Sequence, residues 1–178
     1  MDSQADVLAF ARTLQKVVEQ ARTALEAAAP ATALFPAELA SPPELPYAEM
    51  LSLLVQDTEL ADVTLELFRQ GHYALAVEQA YKCIDCRVRD RSGVSGTGQG
   101  LMFDVFSLDK PRLRLSKLKT TSDKDEQEGF RFIFGGCMQA IRNPRAHNHL
   151  FVDEREDAFA MVLWADYLLR RVEAATVV

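Results

Sequence analysis

An all-α fold is the expectation for this chain, and three observations carry it. Apolar residues recur at intervals of three and four along most of its length, and Gly and Pro fall largely between those runs. Only one stretch, residues 109–122, alternates in the manner of a strand. With 178 residues, 48% of them apolar and 26% charged, the chain suits one globular domain with a real core plus an appendage. The division expected is an N-terminal helix and Pro-rich linker over 1–47 and a helical domain over 48–178.

The first helix is expected over about residues 4–29, where Val7, Phe10, Leu14, Val17, Ala21 and Ala24 form an apolar stripe. That stripe needs a partner, either the rest of the chain or a second copy of the helix. The following "PATALFPAELASPPELPY", residues 30–47, is too rich in proline to continue a helix and reads as a linker or an extended wrap. A helix over about 58–70 places Leu60, Val63, Leu67 and Phe68 on one face, and Gly71 suits its C-terminal cap. The next, over about 72–91, carries Tyr73, Val77, Ala80, Tyr81, Ile84 and Val88, with Arg87, Arg89 and Arg91 at its exposed end.

"SGVSGTGQGL" lacks both the GK[ST] of a phosphate loop and a preceding strand, so Gly93 is expected to cap the helix and the rest to connect to a short helix around Leu101, Met102, Val105 and Phe106. Residues 109–122, "DKPRLRLSKLKTTS", interleave Arg112, Arg114, Lys117 and Lys119 with leucines, as an extended basic loop or short edge strand would. Ser122 followed by Asp125 resembles a helix start. That helix carries Phe130, Ile133, Phe134, Cys137, Met138 and Ile141 and is expected to stop at Pro144. Asp153 with Glu156 marks a second start, for a final helix reaching about residue 174.

The net charge of −6 argues against a general nucleic-acid coat, yet it hides an asymmetry. Residues 82–147 carry 13 basic and 8 acidic side chains, whereas residues 1–81 carry 4 and 12. A positive island of this kind suits a short contact with a phosphate-bearing ligand. No run of about 18 apolar residues occurs and the chain opens without a basic leader, so a cytoplasmic protein with no membrane contact is expected. The odd number of cysteines fits that compartment, and the Cys83–Cys86 spacing reads as helix packing because no further cysteine or histidine pair stands at zinc-ligand spacing.

Chemistry is concentrated in "AIRNPRAHNHL", residues 140–150, a corner between two long apolar-faced helices. A guanidinium matches phosphate oxygens as a planar fork, and an imidazole exchanges protons near neutral pH. Cleaving RNA requires little more, because the 2′-hydroxyl nucleophile is part of the substrate. The chain holds only two asparagines, and one of them directly follows Arg142, five residues before His147. The alternative is that Arg142, Asn143, Pro144 and His147 only terminate a helix. His72 reads as a capping or packing residue and His149 as a solvated one.

"RNPRAH" resembles the Arg-Asn-x-x-x-His signature of the HEPN superfamily, helical domains of RNA-cleaving toxins, abortive-infection proteins and phage-defence systems. More closely, "LFRQGHYALAVEQAYKCIDCRVRDRSG", "GLMFDVFS" and "DEQEGFRFIFGGCMQAIRNPRAH" resemble the Ymh-type family, over about residues 57–173. The resemblance implies an up-down bundle of four or five helices that forms a homodimer, with the arginine and histidine of two subunits facing one another across a cleft. It implies catalytic roles for Arg142, Asn143 and His147, no cofactor and no metal, and a product ending in a cyclic phosphate. Arg145 would add an RNA phosphate contact, with Arg87, Arg89, Arg91, Arg112, Arg114, Lys117 and Lys119 guiding the strand. An antitoxin or another defence-system protein is a possible partner. Some HEPN domains are inactive, so a module that only binds RNA, nucleotide or a partner protein is the alternative.

Overall fold

The computed structural model describes residues 46–178; the helix expected over 4–29 and nearly all of the Pro-rich linker lie outside the described residues. The described part is an all-α bundle. In chain order it comprises α1 (Tyr47–Leu54), α2 (Thr58–Arg69), α3 (Tyr73–Ser92), α4 (Gly98–Val105), β1 (Leu113–Arg114), α5 (Thr121–Cys137), a π-helical turn (Met138–Arg142), α6 (Asn143–His147), α7 (Arg155–Ala174) and β2 (Thr176–Val177). No helix among the described residues is long and apolar enough to cross a membrane.

The apolar periodicity of α3 and α7 decides the centre of the bundle. Ala76, Val77, Ala80, Ile84 and Val88 of α3 and Ala158, Val162, Ala165, Leu169 and Val172 of α7 are all fully buried. These two helices form the largest packing interface, and α2 also packs against α3. Polar side chains fix the joints. Asp57 caps α2, accepting from the Leu60 amide at 2.9 Å, while the buried carboxylate of Asp166 on α7 accepts the Gln56 and Asp57 amides at 2.8 and 2.9 Å. Gly71 closes α2 as expected: at φ 78° it donates to Phe68 O, and the His72 amide reaches back to Leu67 O. Gly93 caps α3 in the same left-handed region.

The second half of the molecule is built on α4 and α5. Phe106 stacks on Phe134 with ring centroids 4.7 Å apart. Gly135 is required beneath Phe103, since a Cβ there would lie 2.6 Å from the ring. The buried amide of Gln127 holds the segment between them, donating to Phe106 O and Leu113 O at 3.1 and 3.0 Å and accepting from the Leu115 amide at 2.8 Å. The strand reading of the basic segment holds in its shortest form: β1 pairs antiparallel with β2, Leu113 opposite Val177 and Arg114 opposite Thr176.

Three local expectations need correction. Helix α5 starts two residues earlier than Ser122 suggests, because the reciprocal cap is made by Thr120 and Asp123. Asp153 does not cap α7, whose N-cap residue, Glu154, makes no side-chain hydrogen bond; the Asp153 carboxylate is used by Arg145 instead. Pro144 does not stop its helix. A proline ring crowds the carbonyl four residues back and removes an amide, and the chain accommodates both by widening one turn: the Asn143 amide reaches Met138 O, and Pro144 then sits in the first turn of α6.

Candidate functional site

The π-helical turn and α6 carry the whole of "RNPRAH" and treat its two arginines oppositely. Arg145 points inward. Its Nε donates to Asp153 Oδ2 at 2.6 Å, its Nη2 to Asp153 Oδ1, and its Nη1 to Ile141 O at 2.6 Å. The guanidinium lies 4.7 Å above the Phe151 ring, and both partners of the ion pair are less than a tenth exposed, at 6% and 7%. Arg145, expected to touch an RNA phosphate, is thus committed within its own chain, to the carbonyl of the widened turn on one side and to the approach of α7 on the other.

Arg142 is the contrast. It makes one hydrogen bond among the described residues, from Nη1 to Asn143 Oδ1 at 3.1 Å, and its Nε is buried with no partner there. His147, at the C-terminal end of α6, is exposed. Five residues of an ideal α-helix correspond to about 140° of rotation around the axis. The two side chains do not line one pocket: His147 borders a cleft of about 880 Å³, and Arg142 and Asn143 are not among its lining residues.

That cleft lies between the start of α3 and the segment joining α6 to α7. Its walls bring together all three histidines of the chain, His72, His147 and His149. His72, expected to cap or pack, is the N-cap residue of α3, but it caps through its backbone, whose carbonyl accepts from the Ala76 amide at 2.9 Å; its side chain is exposed and makes no capping hydrogen bond. Glu78, Asp153 and Glu154 are the acidic groups lining the cleft; Glu78 pairs with Lys82 at 2.7 Å and Asp153 with Arg145. No group of three or more His, Cys, Asp or Glu among the described residues is gathered as a metal-ligand set.

The other basic residues divide between two tasks. Arg87 is clamped by Asp57, Glu59 and Glu173 at 3.0, 2.8 and 2.5 Å. Arg91 binds Glu173 at 2.7 Å and Ala175 O at 2.9 Å, so both arginines fasten the end of α7 to α3. Arg89 stands 3.9 Å from Asp85. Arg114, Lys117 and Lys119 instead line a second cleft, of about 650 Å³, together with Arg171, Asp123 and Glu126. The Asp123 carboxyl there is held below the usual carboxylate range, chiefly by the Thr120 and Lys119 amides. Arg112 is exposed just before β1.

The cysteines follow their burial. Cys83 is buried on α3, its thiol pushed up to about 12 by desolvation first and by nearby acidic groups second, while Cys86 on the same helix is exposed. All three cysteines are free.

A family model described as "Protein of unknown function (Hypoth_ymh)" matches residues 55–172, well over half of the chain. The chain belongs to this family. The Ymh match begins at the α1–α2 joint and ends inside the last turn of α7, so it takes in the whole histidine-lined cleft, the "RNPRAH" corner and all of the second cleft's lining except Ala174 and Thr176. No curated protein and no solved structure matches the chain. Two residues that the motif did not announce, Asp153 and His72, join the site in three dimensions. The scarcity of histidine was the available signal for the second; nothing in the sequence signalled the first.

Proposed function

We propose that this Ymh-family chain is a metal-independent endoribonuclease of the HEPN type, acting in a cytoplasmic defence or toxin setting through a homodimer. The observation that carries the reading is the split within "RNPRAH". Arg145 is locked into the fold by Asp153, while Arg142 hydrogen-bonds only to Asn143 among the described residues and His147 stands exposed at a cleft. A structural helix end would have no need of a second, uncommitted guanidinium. Because Arg142 and Asn143 are not among the residues lining the cleft that His147 borders, a groove that uses both takes the arginine from one copy and the histidine from the other.

In that groove Arg142 holds the scissile phosphate, Asn143 orients the arginine through the 3.1 Å contact, and His147 transfers a proton. Arg112, Arg114, Lys117 and Lys119 guide the strand, and Arg87, Arg91 and Arg145 support the scaffold. The test is RNA cleavage in EDTA by wild type, Arg142→Ala and His147→Ala, beside a solution mass measurement. The expected result is a dimer whose cleavage survives EDTA and falls about 10²-fold or more in either variant; unchanged cleavage in His147→Ala removes the reading.

A second reading is a non-catalytic module that binds a partner protein, such as an antitoxin. It is favoured by apolar exposure on α5 and α7, where Phe132, Ile133 and Trp164 are 59%, 37% and 41% exposed. It expects the assembly without cleavage.

A further inference from the structure

The "RNPRAH" motif supplies one imidazole, whereas cleavage of an RNA phosphodiester moves two protons. One leaves the attacking 2′-hydroxyl and one arrives on the departing 5′-oxygen. In an in-line displacement these oxygens lie on opposite sides of phosphorus, so two proton-transfer groups are best placed on opposite walls of a cleft.

The histidine cleft has that layout. His147 and His149 come from one wall, the end of α6 and the segment after it, where Asn148 is extended. His72 comes from the other wall, at the start of α3. It is exposed, and no side chain among the described residues caps the first turn of α3, whose Tyr73, Ala74 and Leu75 line the same space. The other charged groups facing the imidazoles are Glu78 and Glu154, with Arg145 and Asp153 neutralising one another.

Building on the nuclease reading, we infer that His72 is a second proton-transfer residue, paired across the cleft with His147 of the same chain. One imidazole takes the 2′-hydroxyl proton as that oxygen bonds to phosphorus. The other gives its proton to the 5′-oxygen as the P–O5′ bond breaks. The products are a 2′,3′-cyclic phosphate and a free 5′-hydroxyl, and solvent returns the two imidazoles to their starting protonation states. His149, on the same wall as His147, has no such place.

The test uses the full chain with a short RNA oligonucleotide, and with the same oligonucleotide carrying sulfur in place of the bridging 5′-oxygen. Rates are measured across pH for wild type, His72→Ala, His72→Gln, His147→Ala and His149→Ala. His72 is exposed, so the substitutions leave the fold intact, which circular dichroism checks. The expected result is a bell-shaped wild-type profile and a loss of about 10²-fold or more in both His72 variants. His72→Ala and His147→Ala should lose opposite limbs of the bell. Whichever variant loses the alkaline limb should regain rate on the sulfur substrate, because a thiolate leaves without protonation. His149→Ala should stay within about threefold of wild type on the same scale. Wild-type cleavage with His72→Ala equally active, or slower with both limbs intact, overturns the inference and leaves the nuclease reading standing. Loss of a limb in His149→Ala in place of His72→Ala does the same. A wild type that cleaves no RNA overturns both.

Discussion

The two clefts stand near opposite ends of α7, about 25 Å apart at the helical rise, and they hold charge in different ways. At the start of α7 the groups facing the space include three imidazoles, side chains that can both take and give a proton, and the one arginine is paired with Asp153. At its far end the basic groups are Arg114, Lys117, Lys119 and Arg171, beside the carboxylates of Asp123 and Glu126. Lys117 and Lys119 form no ion pair among the described residues, whereas Arg171 pairs with Glu126 at 2.5 Å. The difference separates proton transfer from anchoring: a permanent cation holds a phosphate but exchanges no proton, and an imidazole does the reverse more readily. Under the proposed function the first cleft is where RNA is cut and the second is where it is held.

The largest effect is expected at Asp153. Asp153→Ala leaves the Arg145 guanidinium, 6% exposed, without its counter-ion and releases the segment that forms one wall of the histidine cleft. Removing one member of a buried pair costs about 3–5 kcal/mol, which urea unfolding would register as a lower midpoint. The double change Arg145→Met with Asp153→Leu should recover most of that loss, because it removes the stranded charge. Should the single variant unfold like wild type, Arg145 is not the strut described here and the rigidity of the cleft wall has another source.

At the basic cleft the expectation is reversed. Lys117→Glu with Lys119→Glu alters exposed side chains, so stability should move by less than about 0.5 kcal/mol. Binding to single-stranded RNA should weaken, and the salt dependence should flatten by about 0.7 in the log–log slope for each phosphate that is no longer neutralised. A slope equal to that of wild type would take these lysines out of the RNA path.

The sequence disclosed the two ends of the molecule unequally. Helices α2, α3 and α7 were legible almost to the residue, because their apolar stripes, Gly71 and Gly93 are local signals that tertiary packing reinforces. Helix α1 was not assigned, since its eight residues follow a proline tract and bury only Leu51. The course of "RNPRAH" departs from the expectation because proline was weighed against an ideal α-helix; a turn widened by one residue accommodates the ring locally, and apolar spacing does not encode it. The shared charge of Arg142 and Arg145 conceals opposite environments. Only the return of Asp153, eight residues on, decides which guanidinium is committed. Likewise Arg87 and Arg91 read as part of a basic face, while their carboxylate partner Glu173 lies more than 80 residues away.

The smallest effect lies with Asp123, the carboxylate that borders the lysines. The Thr120 and Lys119 amides donate to it at 3.0 and 2.8 Å and favour its charged form, which holds it below the ordinary range. A carboxyl whose folded value is depressed stabilises the fold above its unfolded value, and that contribution fades as pH falls through the folded value. Wild type should therefore be more stable than Asp123→Asn at neutral pH, with the gap closing on acidification below the usual carboxylate range. The gap should be flat between pH about 6 and 8, where no carboxylate of ordinary or lowered value titrates. Paired urea melts across pH would follow it. A gap that instead changed across that neutral interval would mean a neighbouring group titrates with Asp123, and the basic cleft would then share the pH sensitivity assigned to the histidine cleft alone.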